Sequence, residues 1–178
     1  GTVEALRRDE DLAALEWKVF STGTAFPVAG FQVEPFSVPH DALDPVGFVV
    51  QANGTRVGVV TDMGMPTTLI REKLKSCHAI VLEANHDEDM LKNSKRPWSL
   101  IQRILSRQGH LCNDAAAEML CEIAGPSLRH VFLAHISQQC NRLELALKTA
   151  EKRLHAKGHA HIRISLTYPD RISDVWEG

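Results

Sequence analysis

The sequence predicts an α/β domain: a mixed β-sheet whose strands come first as hairpins and then alternate with helices, with helices over one face. Three observations predict it. Two apolar runs flank Asn53-Gly54, the strongest short hairpin signal. Beyond Pro66, short apolar runs alternate with helix-like segments, the order that joins parallel strands by helices. Finally, three apolar runs stop at a His or an Asp: Phe36-Ser37-Val38-Pro39-His40-Asp41-Ala42, Val57-Gly58-Val59-Val60-Thr61-Asp62-Met63-Gly64 and Val131-Phe132-Leu133-Ala134-His135-Ile136-Ser137.

In chain order, residues 3–15 read as a charged amphipathic helix. Residues 17–20 and 31–38 read as strands separated by a turn region that contains Gly and Pro. Residues 46–52 and 56–61 form the hairpin around Asn53-Gly54. Pro66 can open a helix that runs to about Lys75. Residues 79–83 are a short apolar strand ending at a carboxylate. Residues 97–107 and 113–124 read as helices, the second with Asn113 as N-cap. Residues 130–134 are the next strand, residues 141–156 a helix that stops near Gly158, and residues 161–167 a last strand. There is no internal repeat, low-complexity stretch or linker, so the 178 residues read as one domain or a large piece of one.

Composition excludes more than it selects. A hydrophobic share of 44% is that of an ordinary globular chain. A formal net charge of −2 gives no global pull toward nucleic acid or membrane. Cys77, Cys112, Cys121 and Cys140 are scattered without a C-x-x-C pair, which argues against a disulfide framework and fits a reducing cytoplasm. No apolar run is long enough to span a bilayer and no signal peptide is visible, so a membrane partner is not expected. The chain opens on Gly1 rather than Met and is expected to be processed or cut from something longer.

The strand-end residues are the candidate chemistry. Loops leaving one end of a sheet are where a rigid scaffold places a site. His40, Asp62 and His135 are ligand types suited to zinc or manganese, but three donors do not close a site. The competing reading is structural: an Asx turn at Asp62, a cap or turn at the histidines. Glu83 ends a strand whose preceding residues are all apolar, a setting that orients a histidine or shifts a carboxyl pKa; a strand-end Glu facing water is the alternative. His110, after Gly109 and just before a helix, sits near the positive end of a helix dipole and suits a mobile general acid, against a helix-entry histidine with no role. Lys95, Arg96, Arg103 and Arg107 form a basic cluster that can meet phosphates or simply face solvent. His78, His130, His155, His159 and His161 lie in no ligand-like pattern.

Taken in order, VPHDA at 38–42, TDMG at 61–64, LEANHD at 82–87, GHLCN at 109–113 and LAHIS at 133–137 resemble the metallo-β-lactamase-fold hydrolases, most of all the YycJ-like (WalJ) subgroup, whose members are thought to be nucleases. The resemblance covers nearly the whole chain and implies an αββα sandwich. It implies that His40 binds a first metal, that Asp62 bridges two, and that His135 binds the second. It also implies that Glu83 and His110 act as the Glu–His pair of the related tRNA 3′-end-processing ribonucleases. Cys112 stands where the subgroup usually has Ser. The defining H-x-H-x-D-H motif is absent from these residues, and the chain resembles the C-terminal two-thirds of a family member, one partial domain over residues 1–178 without the β-rich first part.

The expected parent protein is a metal-dependent hydrolase of phosphodiester bonds, holding two zinc or manganese ions, with Asp62, Glu83 and His110 catalytic and Lys95, Arg96, Arg103, Asn113 and Asn141 on a nucleic-acid substrate. The chain alone is expected to bind metal weakly and to be inactive. A homodimer or a swapped assembly is expected to cover its missing part. The alternatives are hydrolysis of a different ester and a non-catalytic fragment or assembly partner.

Overall fold

The computed structural model describes residues 17–177; the helix expected over residues 3–15 lies outside them. The strands are β1 (Phe26–Val28), β2 (Phe31–Ser37), β3 (Val46–Ala52), β4 (Thr55–Val60), β5 (Ala79–Glu83), β6 (His130–Ala134) and β7 (Arg163–Leu166). The helices are α1 (Thr68–Leu74), α2 (Glu88–Lys92), α3 (Trp98–Leu105), α4 (Asn113–Ile123) and α5 (Leu143–Ala156).

All seven strands form one sheet whose spatial order is the chain order. β1 to β4 pair antiparallel and β4 to β7 parallel, a mixed sheet as the sequence predicts. The switch follows from connection length. Asn53 and Gly54 take φ of 48° and 81°, the left-handed pair that a tight hairpin turn requires, so β3 returns directly as β4. After β4 every strand is preceded by a helix, and a helical crossover brings the chain back parallel.

Strand alternation sorts the sheet into two faces. Phe36, Val49, Val60, Ile80, Leu82, Val131 and Leu133 are buried on one face. There they join Ile70 and Leu74 of α1, Ala116, Ala117, Met119 and Leu120 of α4, and Ala146, Ala150 and Leu154 of α5 in one core. Leu91, Ile101, Ile104 and Cys140 make a smaller satellite core under α2 and α3. Among the described residues there is one sheet, the helix-covered half of the expected sandwich.

Several local expectations differ from the structure. Residues 17–20 are not a strand; Phe20 instead stacks on Phe26 at 5.2 Å, and the turn region that follows contains β1. α1 begins at Thr68, capped by Thr67, whose Oγ1 accepts from Ile70 N at 3.3 Å; Pro66 stays outside the helix. α2 was not expected from the sequence. Asp87 caps it, accepting from Met90 N at 2.9 Å, and Glu88 and Asp89 favour its positive end. Asn113 is not the N-cap of α4. Cys112 has the extended backbone of a cap (φ −77°, ψ 165°), and the Asn113 side chain is drawn inward to another partner. α5 starts at Leu143 rather than at Asn141, for the same reason.

Candidate metal centre

β2, β4, β5 and β6 all run the same way, so their C-terminal ends meet at one edge of the sheet. Residues at or just past those ends are His40, Asp62, Glu83 and His135. Ligands of open α/β sheets bind outside the carboxyl ends of strands, and here four chemically active side chains arrive there from four strands. His110 arrives from the loop between α3 and α4. That loop lies alongside the extension of β5: Asn85 N donates to Leu111 O at 2.8 Å and Asn113 N to His86 O at 2.9 Å.

Glu83 is the buried centre of the cluster, with no exposed surface. One of its oxygens, Oε1, lies 2.7 Å from His110 Nδ1 and 2.8 Å from His135 Nδ1. Its Oε2 accepts from Met63 N at 2.8 Å and Leu111 N at 3.3 Å. Burial alone would raise this carboxyl; the hydrogen bonds from the two imidazoles and from Met63 N outweigh it and hold Glu83 below the usual carboxylate range. An ionised Glu83 makes Nδ1 the protonated nitrogen of both rings, so each Nε2 is the nitrogen left for other work. The same contact raises His135, its hydrogen bond to Glu83 being the largest cause.

His40 is fixed differently. Its Nδ1 donates to Gly109 O at 3.0 Å, and its Nε2 lies 3.8 Å from Asp62 Oδ1. His135 Nδ1 is 3.6 Å and His110 Nδ1 4.0 Å from that same oxygen. The His110 ring sits between the other two, with centroids 5.0 Å from His40 and 5.1 Å from His135. Tetrahedral zinc with bonds near 2.1 Å spaces its donors about 3.4 Å apart. The Nδ1 atoms of His110 and His135 are taken by Glu83, but the 3.8 Å between His40 Nε2 and Asp62 Oδ1 is within a few tenths of that spacing, and His40, Asp62 and His110 offer donor atoms all within 4.8 Å of one another, so this set fits a divalent cation. The alternative group, Glu83 with His110 and His135, is closed up by direct hydrogen bonds.

Asp62 and His135 both carry positive φ, 54° and 53°, outside the ordinary range for residues other than glycine. Such backbone at a cluster of polar groups is a conformation held by its surroundings. Gly109 serves through closeness, not through a left-handed φ. A Cβ there would lie 2.1 Å from Ile104 O and 2.3 Å from Arg103 O, so only glycine lets this loop press onto the end of α3 and deliver His110.

The other expected site residues are spread out. Arg103 makes a two-pronged ion pair with Asp41, next to His40, and that pairing lowers the Asp41 carboxyl. Arg96 donates to Gln139 Oε1 at 3.0 Å, and Lys95 is exposed beside it. Asn113 and Asn141 are buried and donate to each other at 2.9 and 2.8 Å. Asn141 Nδ2 also reaches Ala84 O at 3.0 Å, tying α5 to the end of β5.

Sequence reasoning did not single out His86. It is 1% exposed, and neither ring nitrogen has a partner among the described residues. Burial lowers its pKa and keeps it neutral. Its only sequence signal is its place three residues past Glu83. The carbonyl of Gly109 and the amide of Met63, both parts of the site, leave no trace in a sequence at all.

Comparison with known proteins identifies the family. Residues 1–136 match the family described as the β-lactamase superfamily domain. A relative from Bacillus anthracis named exodeoxyribonuclease YycJ is 35% identical over 140 residues, which are 79% of this chain and 53% of that protein. Exodeoxyribonuclease WalJ of Streptococcus pneumoniae is 30% identical over 76% of this chain and 51% of its own length. The chain thus spans about half the length of the curated relatives it matches. Among solved structures, the metallo-β-lactamase fold protein YhfI of Bacillus subtilis superposes with a TM-score of 0.66 at 12% identity, covering 96% of this chain and 62% of that one. Zinc-bound PqqB of Methylobacterium extorquens superposes with a TM-score of 0.67 at 19% identity, covering 98% and 58%. The sheet and these matches agree: the chain belongs to the β-lactamase superfamily, as a YycJ-like member with the metallo-β-lactamase fold.

Proposed function

We propose that the whole protein is a metal-dependent phosphodiesterase that shortens nucleic acid from its ends in the cytoplasm. The observation that carries this reading is the convergence of His40, Asp62 and His135 at one sheet edge around the Glu83-held His110. The names of the relatives, both exodeoxyribonucleases, support the substrate class.

In this reading His40, Asp62 and His135 would hold the zinc or manganese. When bound, the ions supply an activated water and polarise the phosphoryl oxygen. The chain's own residues do the rest. Glu83 stays ionised, keeps the proton of His135 on Nδ1 and leaves Nε2 as the ligand nitrogen. Glu83 fixes His110 in the same way, so that His110 Nε2 can carry a proton to the departing oxygen. Arg96 and Arg103 face the strand's phosphates from beside the cluster, and Lys95 extends that basic edge. Asn113 and Asn141 act from behind, by holding the end of β5 in place.

The residues present offer three donors, whereas each zinc takes about four. The 178-residue chain is therefore one partial domain that binds metal weakly and is inactive alone, with the remaining donors supplied from outside it. A second copy or swapped elements would cover its open sheet face.

The test is hydrolysis by the whole protein loaded with manganese or zinc. Labelled DNA and RNA strands should be degraded stepwise from an end, and chelation should stop it. A fully metal-loaded protein that leaves nucleic acid intact but hydrolyses another ester would overturn the reading. Tight binding of two ions by the 178-residue chain alone would overturn its metal arithmetic.

A further inference from the structure

A cleft of about 330 Å³ opens directly beside His110 and His135. Its rim carries Arg96, Arg103 and Ser137, its floor includes Leu100 and Ile104, and no carboxylate lines it. That volume lies at the lower end of the range for small-molecule sites, about 300–1,000 Å³, enough for one small ligand rather than a length of strand. Ile104 belongs to the satellite core and Leu100 packs against it, so this side of the cleft is apolar.

The two arginines differ. Arg103 is held by Asp41. Arg96 pairs with no carboxylate among the described residues; its side chain donates only to Gln139 there, and its Nε is buried without a partner. A buried guanidinium nitrogen left unsatisfied costs free energy until an acceptor arrives. Arg96 also lies before Pro97, off α3, so it is not one of a row of solvated helical charges. Ser137 Oγ accepts from Cys140 N at 3.1 Å, which leaves its hydroxyl hydrogen free to donate.

A guanidinium with no carboxylate partner, a second guanidinium and a hydroxyl at one cleft suit a tetrahedral dianion better than a single backbone phosphate charge. We propose that this cleft binds the terminal phosphomonoester of a nucleic-acid strand, with Arg96 as its main contact. The seated end then determines which phosphodiester reaches the histidine cluster. This rests on the nuclease reading above and adds to it a requirement for a phosphorylated end.

The experiment uses the whole protein, metal-free to prevent hydrolysis, and short single-stranded DNA carrying an internal fluorophore. Three versions of the strand are compared by anisotropy: 5′-phosphorylated, 3′-phosphorylated, and hydroxyl at both ends. One phosphorylated strand should bind about tenfold or more tighter than the hydroxyl strand, the scale of a charged hydrogen bond, and which one it is identifies the end. Arg96→Gln should abolish that preference, weakening the phosphorylated strand about tenfold more than the hydroxyl strand, with an unchanged melting temperature as the folding control. Equal binding of all three strands by the unmodified protein overturns the proposal without recourse to any variant. An Arg96→Gln loss that is equal for all three also overturns it, by making Arg96 a general backbone contact. Both outcomes leave the nuclease reading standing if the metal-loaded protein still cuts; failure to bind or cut any strand removes both.

Discussion

Glu83 accepts from two imidazoles through one oxygen, which fixes the orientation of both rings. Under the proposed function, His135 would hold a metal and His110 would move a proton. His110→Ala in the whole, metal-loaded protein should therefore lower kcat by about 10²–10⁴-fold, the scale of general acid–base help, with metal content unchanged. Loss of metal along with activity would make His110 a ligand instead. Asp62 yields a prediction of opposite sign for stability. Its φ of 54° is strained for a side chain but natural for glycine. Its only side-chain hydrogen bond among the described residues is with neighbouring Thr61, at 3.1 Å. Asp62→Gly should abolish metal binding yet stabilise the metal-free protein by roughly 1 kcal/mol, the relief of strain less the added freedom of the unfolded chain. Thermal melts in chelator would show it, and a melting temperature several degrees lower would mean that Asp62 supports the fold as well.

At the scale of elements, what was legible and what was not follow from locality. His40, Asp62, Glu83 and His135 could be picked out because each is preceded by an apolar strand, a pattern contained in a few adjacent residues. Asn53-Gly54 announced its hairpin for the same reason. The misreadings lie where a distant partner decides. Asn113 has the side chain of an N-cap, but Asn141, 28 residues on, captures its amide, and Cys112 becomes the cap. His86 passed unnoticed because its burial depends on the loop 109–113 lying along the extension of β5. α2 is only five residues long, too short to show a period. The same loop offers a test of how an element positions a side chain. Gly109→Ala would push a methyl against the carbonyls of Arg103 and Ile104, backbone that cannot rotate away. It should cost about 2–4 kcal/mol and lower kcat by displacing His110, although position 109 offers no side chain to the reaction. Unchanged kcat and unchanged urea midpoint would show that the loop has slack.

The whole molecule presents a helix-covered face and a second face that the described helices leave open. Phe48, Val59, Val81 and Phe132 stand in register across β3, β4, β5 and β6, one apolar row running the width of four strands. Val50 and Val57 pair beside it. None of these six belongs to the core that the helices share, and each keeps part of its surface exposed. Valine and phenylalanine in adjacent strands make a continuous patch, not scattered surface residues, and monomers rarely leave more than a few hundred Å² of such surface bare. Its position matters for function, because Glu83 lies on the same face one step beyond Val81, so whatever covers the row also borders the candidate metal centre. In isolation, the 178-residue chain should satisfy this face with a second copy of itself. Light scattering at micromolar concentration should then report a dimer or larger species. Val81→Lys, which places a charge at the centre of the row, should shift that species toward monomer while circular dichroism shows the sheet retained. A folded monomer that binds no hydrophobic-patch dye would mean that the row is closed within the chain itself.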